Sequence, residues 1–110
     1  MSPSRLQEPS FLILASLASG AQHGYGILKD IESLSGGAVT LGVGTLYGGL
    51  DRLAVEGLVE VDHEEYVDSR LRRYYRLTGA GRERLATEAA RSKRQADAAL
   101  RRLRLGEEGT

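Results

Sequence analysis

The segment 44–59 constrains the fold of this chain more than any other part of the sequence. Three of its leucines are spaced four and three residues apart: Leu46, Leu50 and Leu53. Because residues at this spacing share one face of an α-helix, the pattern predicts a helix over about 43–56. Gly57 is a residue type that commonly ends helices. Alternating apolar residues follow at once, so we expect this helix to lead directly into a β-strand.

A hairpin and a long helix are predicted after this segment. The strands cover roughly 58–63 and 70–77, with a loop between them. Period-two alternation gives the hairpin one apolar face: Val59, Val61, Leu71, Tyr75 and Leu77. A last helix, capped by Thr78, is expected to reach about Leu105. The resulting fold class is mainly α with a small β-hairpin wing, a winged helix-turn-helix followed by a long C-terminal dimerisation helix.

Two more helices are predicted near the N-terminus, over about 10–19 and 23–34, and Val39–Leu41 is expected to form a short edge strand. The chain then divides into four parts: a flexible leader at 1–8, a winged-helix region at 9–77, a dimerisation helix at 78–105 and a disordered tail at 106–110.

The distribution of charge matters more than its sum. The 110 residues carry no net charge, which by itself argues against a nucleic-acid partner. However, residues 1–63 carry a net charge of −4, and residues 64–110 carry +4. The basic surplus lies in the second hairpin strand and the last helix. Because a local basic face governs the encounter with DNA, this charge distribution is compatible with DNA binding. The affinity is then expected to fall as the salt concentration rises.

The sequence lacks the residues that are typical of several classes of function. There is no cysteine, and His23 and His63 alone do not make a convincing metal site. No run approaches the roughly 20 apolar residues of a membrane span, and the N-terminus has no signal-peptide core. Neither a nucleophile elbow nor a phosphate loop is present. We therefore expect a cytoplasmic protein that is not an enzyme and has no catalytic residues, metal, cofactor or membrane association.

Four motifs, in order, resemble those of the PadR-like transcriptional regulators. They are His-Gly-Tyr-Gly-Ile-Leu at 23–28, Gly-Thr-Leu-Tyr at 44–47, Arg-Leu-Ala-Val-Glu-Gly-Leu-Val at 52–59 and Tyr-Tyr-Arg-Leu-Thr-Gly-Ala-Gly at 74–81. The family commonly has a proline after the motif tyrosine, where this chain has Gly48 and Gly49. The resemblance implies a DNA-binding repressor, and it leaves open whether a small-molecule effector or a partner releases it.

The first candidate DNA contacts lie at the start of the helix predicted over 43–56: Gly44, Thr45, Leu46 and Tyr47. Backbone N–H groups at a helix start, together with two hydroxyl groups, suit phosphate oxygens and base edges. The resemblance also places these positions against DNA. The alternative is that Thr45 caps the helix and the ring of Tyr47 packs on the core.

The remaining candidates lie on the wing and on two helices: Arg70, Arg72, Arg52, Tyr25 and Lys29. The two wing arginines could reach flanking phosphates. Alternatively, Arg72 and Arg76 pair across the hairpin with Glu60 and Asp62. The alternative for Tyr25 is a position at the edge of the core. The alternative for Arg52 and Lys29 is an exposed position without a DNA contact. Arg73 falls on the apolar-facing register, so we expect it to be structural or displaced by a bulge.

The last helix carries a seam at heptad spacing: Leu85, Ala89, Ser92, Ala96, Ala99 and Leu103, widened by Leu100. Such a seam is typical of helices that pair. The first helix is apolar on more than one side, which adds Phe11 and Leu14 to the predicted interface. We therefore expect a homodimer that binds double-stranded DNA at a pseudo-palindromic operator. The alternatives are a last helix folded back on its own domain, and a winged-helix protein-interaction module without DNA binding.

Overall fold

The computed structural model describes residues 5–109. This part of the chain contains four helices and three strands: α1 Glu8–Ser16, β1 Gln22–His23, α2 Gly24–Leu34, α3 Val43–Val55, β2 Val59–Val67, β3 Arg70–Leu77 and α4 Gly79–Glu108. The strands form one antiparallel sheet in the order β1-β3-β2. The predicted fold class, a winged helix-turn-helix with a long C-terminal helix, is confirmed.

The apolar core lies between the first three helices and the base of the sheet. Its buried members come from nearly every element: Leu12, Ile13, Leu14, Leu17, Ile27, Ile31, Leu46, Leu50, Leu53, Leu58, Val59, Tyr75 and Leu77. Three of them are consecutive in α1, so this helix is covered on several sides. Leu14 is 0% exposed within a single chain. Its predicted place in a dimer interface is therefore wrong, because its own subunit already covers it.

The adjacent glycines of α3 have different surroundings. A Cβ at Gly49 would lie 2.9 Å from the Cδ1 atom of Ile13, so α3 approaches α1 more closely than alanine would permit. A Cβ at Gly48 would meet only the guanidinium of Arg52, at 3.8 Å. Gly49 therefore relieves crowding against α1.

The small strand that completes the sheet is not where the sequence placed it. Residues 39–41 form no strand, because Val39 is held in the loop between α2 and α3 by its N–H bond to the hydroxyl of Ser35, at 3.0 Å. The edge strand is β1, in which Gln22 pairs with Tyr75 and His23 with Tyr74. A two-residue strand is too short to show an alternation of apolar and polar residues.

The hairpin is longer than predicted and contains a bulge. Residues 64–67, expected in a loop, belong to β2, and the turn is formed by Asp68 and Ser69 at φ values of 51° and 65°. Positive φ at both central residues is characteristic of the type I′ hairpin turn. The ladder shifts by one residue between Val61 and His63, so the predicted alternation in β2 fails beyond that point. In β3 the alternation is unbroken.

The start of α4 is fixed tightly to the short connection between α3 and β2. Thr78 is its N-cap, as predicted: the hydroxyl accepts a bond from the N–H of Gly81 at 3.0 Å and donates to the carbonyl of Gly57 at 2.6 Å. A Cβ at Gly81 would overlap the carbonyl oxygen of Leu58, whose carbonyl carbon would lie 2.9 Å away. The helix therefore meets the backbone of Leu58, the residue just before β2, at very close range.

The rest of α4 extends beyond the domain. Its 30 residues span about 45 Å, at 1.5 Å per residue. The radius of gyration is 16.8 Å, whereas a compact chain of this length would have about 13 Å. The helix continues through Glu108, so the predicted disordered tail is wrong over 106–108, and Thr110 lies outside the described residues. Of the predicted leader, residues 1–4 lie outside the described part and Glu8 begins α1.

Candidate nucleic-acid interface

The start of α3 presents part of the predicted DNA-binding set to solvent. Gly44 and Thr45 are exposed, but Leu46 is 0% exposed and fills the core. The prediction that Leu46 contacts DNA is therefore wrong. The N-cap of α3 is Gly42, which provides no side-chain acceptor. Thr45 is thus not the capping residue, and the helix start retains N–H groups suited to an anionic partner.

Tyr47 links the start of α3 to the start of α2. A Cβ at Gly24 would overlap the Tyr47 hydroxyl, and the ring carbon that bears this hydroxyl would be 3.0 Å away. The tyrosine therefore lies directly against the first turn of α2, at a position where only glycine leaves room. Its side chain is still 42% exposed. The ring is thus held in one orientation by packing while one edge remains available to a partner.

The exposed side of α2 continues this surface. Tyr25 is 65% exposed, so its predicted alternative as a core-edge residue is wrong. The ammonium nitrogen of Lys29 lies 5.1 Å from the centre of the Tyr25 ring, a cation–π arrangement. The two residues therefore form one basic and aromatic patch beside the start of α3.

An open groove separates the starts of α2 and α3 from the wing. Its lining combines two exposed tyrosines with three arginines: His23, Gly24, Tyr25, Tyr47, Val67, Asp68, Arg70, Leu71, Arg72 and Arg73. The structure therefore brings together the predicted residues Tyr25, Tyr47, Arg70 and Arg72. Arg52 lies apart from them, near the N-terminal turn of α1. Arg73 was not among the predicted contacts, although the groove contains it.

The wing arginines differ in how far their charges are neutralised. The guanidinium of Arg76 lies 2.9 Å from a carboxylate oxygen of Glu60 and 3.3 Å from one of Asp62, and the Glu60 bond is the main reason that its pKa is raised. The cross-strand alternative is therefore confirmed for Arg76. Within residues 5–109, no carboxylate lies within 4.0 Å of Arg70 or Arg72. Their charges remain available in the groove.

His23 holds the first turn of α2 in place. Its Nδ1 atom accepts a bond from the N–H of Gly26 at 3.2 Å, which requires this nitrogen to be unprotonated. The ring meets Tyr74 edge-on at 5.3 Å, and Tyr74 stacks on His63 at 4.3 Å. Burial, followed by the charge of Arg72, lowers the pKa of His23 below 6.5.

We predict that this cap makes stability depend on pH. Because the pKa of His23 is lower in the folded chain, the neutral ring stabilises the fold above pH 6.5, and this contribution is lost as the pH falls. Thermal denaturation should show a fall in Tm between about pH 7 and about pH 5. His23→Asn keeps a capping acceptor that does not titrate, so its Tm should fall less. Equal falls in both proteins would contradict the prediction.

The outer face of α4 leaves most of the predicted dimer seam uncovered. Six of its members are exposed in the single chain: Ala89, Ser92, Ala96, Ala99, Leu100 and Leu103. Leu85 and Phe11 are half-buried against their own core. The face that meets the domain is a neighbouring one and contains Gly81 and Glu88. The alternative of a helix folded back on its domain therefore describes only the first half of α4.

The described part of the chain shows two further absences. It contains no group of three or more histidine or acidic residues arranged to hold a metal ion. None of its helices combines the length and apolar character that crossing a membrane would require.

The fold and this surface define a winged-helix transcriptional regulator. Residues 13–87 match the Transcriptional regulator PadR-like family, and this chain belongs to that family. A relative described as an uncharacterized 37.1 kDa protein in transposon TN4556 of Streptomyces fradiae is 42% identical over 85 residues. The match covers 77% of this chain but only 23% of that protein, so the chain spans about a quarter of its relative's length.

Two solved structures illustrate the shared fold. A PadR family transcription regulator from Clostridium difficile R20291 aligns with a TM-score of 0.74 and 22% identity, covering 88% of this chain and 99% of that one. Bacillus subtilis PadR in complex with operator DNA aligns with a TM-score of 0.66 and 22% identity, covering 74% of this chain and 46% of that one. At these identities the comparison concerns the fold.

Proposed function

We propose that this PadR-family regulator is a homodimeric repressor that binds a pseudo-palindromic operator. The observation that carries the proposal is the surface formed by the start of α3 and the adjoining groove. The start of α3 exposes N–H groups and the side chain of Thr45, and Tyr47 lines the groove with Arg70 and Arg72. Among residues 5–109, neither arginine has a carboxylate within 4.0 Å. Such groups donate to phosphate oxygens and base edges. The solved complex of B. subtilis PadR with operator DNA supports the same role for this fold.

The proposed dimer rests on the seam of α4. The exposed positions recur every three or four residues from Ala89 to Leu103, so they form one stripe along the projecting helix. Most of them are alanine or serine, which allows two helices to approach closely. Leu100 and Leu103 would then be covered by the second copy. A helix that leaves its own domain for several turns gains little stability unless such a partner packs against it.

A two-fold dimer accounts for the proposed operator. The symmetry would present two copies of α3, and each copy would enter the major groove of one half-site. The half-sites would therefore be inverted repeats separated by about one helical turn of DNA, or about 10 base pairs.

The proposal includes release by a small-molecule effector, but it restricts how that effector would bind. The tyrosines all lie between α2 and the end of the sheet, and α4 contains no aromatic residue. A flat aromatic molecule between two paired α4 helices would therefore lack the stacking partners that such ligands normally use. An effector of this regulator would bind by other contacts or at another site.

We predict that Tyr47→Ala weakens operator binding at least about tenfold, because one good base-edge contact is worth about 1–3 kcal/mol. The measurement is fluorescence anisotropy with a duplex from upstream of the protein's own gene and a scrambled duplex of the same composition. Tyr47→Phe keeps the ring and loses only the hydroxyl, so its affinity should be intermediate. Val55→Ala, at the far end of the exposed face of α3, is the matched control and should bind normally.

The same titration can contradict the proposal. Equal and weak binding of both duplexes would exclude sequence readout by α3 and would favour the protein-interaction alternative. Wild-type affinity in Tyr47→Ala would remove Tyr47 from the interface. Transcription from the same upstream region, measured with and without the protein, then separates repression from activation.

A further inference from the structure

Arg73 occupies the junction between α3 and the wing. Because β3 alternates without interruption, Arg73 shares the face of Tyr75 and Leu77, which is the face turned toward α3. It lines a small cleft with residues of both elements: Tyr47, Asp51, Leu71 and Tyr75. It also lines the larger groove that contains Arg70 and Arg72. It is thus the wing arginine that borders both the cleft beside α3 and the groove.

The charge of Arg73 is only weakly neutralised. Its nearest carboxylate oxygen, from Glu64 across the hairpin, is 3.8 Å away, and both side chains are about half exposed. Exposed ion pairs of this kind contribute little. In contrast, Arg76 on the same strand has two carboxylate oxygens at 2.9 and 3.3 Å. Asp51 also borders the cleft, but it lies beyond 4.0 Å from the Arg73 guanidinium.

Tyr75 lies on one side of Arg73. Tyr75 is buried, and its side chain adjacent to the guanidinium is the main reason that the pKa of Arg73 is raised, followed by Glu64. A planar guanidinium that is about half exposed can donate to the two oxygens of a phosphate group. It lies beside Tyr47 rather than at the wing tip.

On the basis of the function proposed above, we infer that Arg73 is a phosphate-binding residue that holds the DNA backbone at the edge of the major groove occupied by α3. The location decides between phosphate and base. With α3 in the groove, the element beside it meets the groove wall, which is the sugar–phosphate backbone. Arg73 therefore sets the depth and register at which Tyr47 and Thr45 meet the bases.

The test compares Arg73→Gln, Arg73→Lys and Arg76→Gln in the full chain. Anisotropy titrations use the upstream duplex and the scrambled duplex at four salt concentrations. Arg73→Gln should lose about tenfold in affinity for both duplexes, and the slope of log K against log salt should become shallower by about one per subunit. Arg73→Lys should keep the slope and lose only part of the affinity. Arg76→Gln, whose parent side chain is already paired, should match the wild type.

The outcomes separate this inference from the proposed function. If the wild type prefers the upstream duplex but Arg73→Gln keeps its affinity and slope, Arg73 is not a DNA contact. If Arg73→Gln loses only the preference between duplexes with an unchanged slope, Arg73 reads a base, and the phosphate assignment is overturned. If the wild type binds neither duplex selectively, the proposed function itself fails. If Arg73→Gln folds poorly, Arg73→Lys provides the test. A partial loss of affinity supports the phosphate contact, and wild-type affinity contradicts it.

Discussion

Gly81→Ala is expected to lower the free energy of unfolding by about 3 kcal/mol, at the upper end of the usual cost of overpacking. The added methyl group would overlap the carbonyl oxygen of Leu58, and a backbone atom cannot turn aside as a side chain can. The first turn of α4 would have to move away from Leu58. The hydrogen bond from the N–H of Thr78 to the same carbonyl, 3.1 Å long, would be disturbed as well. Thermal denaturation should show a Tm lower by more than about 10 °C.

Gly79→Ala is the matched control for this effect. It lies two residues earlier in the same helix turn, and a Cβ there would meet no atom within 4 Å. Alanine should therefore leave the free energy of unfolding within about 0.5 kcal/mol of the wild type. If the two variants unfold at the same temperature, the close contact between α4 and Leu58 does not limit stability.

Ala96→Glu is expected to convert the proposed dimer into a monomer. The side chain is exposed in a single chain, so the substitution leaves the fold intact. In the paired helices it would place a charge, and its symmetry-related copy, within an apolar seam. Burying an unpaired charge costs several kcal/mol, so the dimer dissociation constant should rise at least about a hundredfold. Sedimentation at micromolar concentration measures the mass, and the anisotropy assay should show the accompanying loss of operator affinity.

Ala90→Glu introduces the same side chain on the side of α4 that faces neither the seam nor the domain. Ala90 is also exposed, and it lies about 120° around the helix from Ala96. This variant should remain dimeric and bind the operator normally. A wild-type protein that sediments as a monomer, or an Ala96→Glu variant that stays dimeric, would show that the seam does not hold two subunits together.

The elements of this fold that span several helix or strand periods could be predicted from the sequence. The three leucines of α3 and the cap at Thr78 carry local signals that no tertiary contact overrides. They place α3 and the start of α4 to within about two residues. The free backbone N–H groups at the start of α3 could be predicted as well, because the first turn of a helix has the same donors in any fold.

The remaining features depend on contacts that a linear pattern does not contain. The bulge beyond Val61 adds one residue to β2 without a proline or glycine to mark it, and it changes which residues of the strand share a face. The sequence placed Leu14 in the dimer interface because its helix is apolar on more than one side. It placed Leu46 among the DNA contacts because this residue lies at the start of α3. Their burial depends on how α1 and α3 pack together. Arg73 was set aside for its apolar register, yet that register is what turns it toward α3.

The composition of the α4 seam also bears on how such a regulator would respond to its own abundance. Two leucines at the outer end and small side chains elsewhere bury less apolar surface than a stripe of leucines would. The proposed pairing would therefore be of moderate strength, and subunits would exchange at low cellular concentration. While most copies are single, the paired form grows with the square of the total amount. A modest change in synthesis or degradation would then produce a steeper change in promoter occupancy, without any ligand.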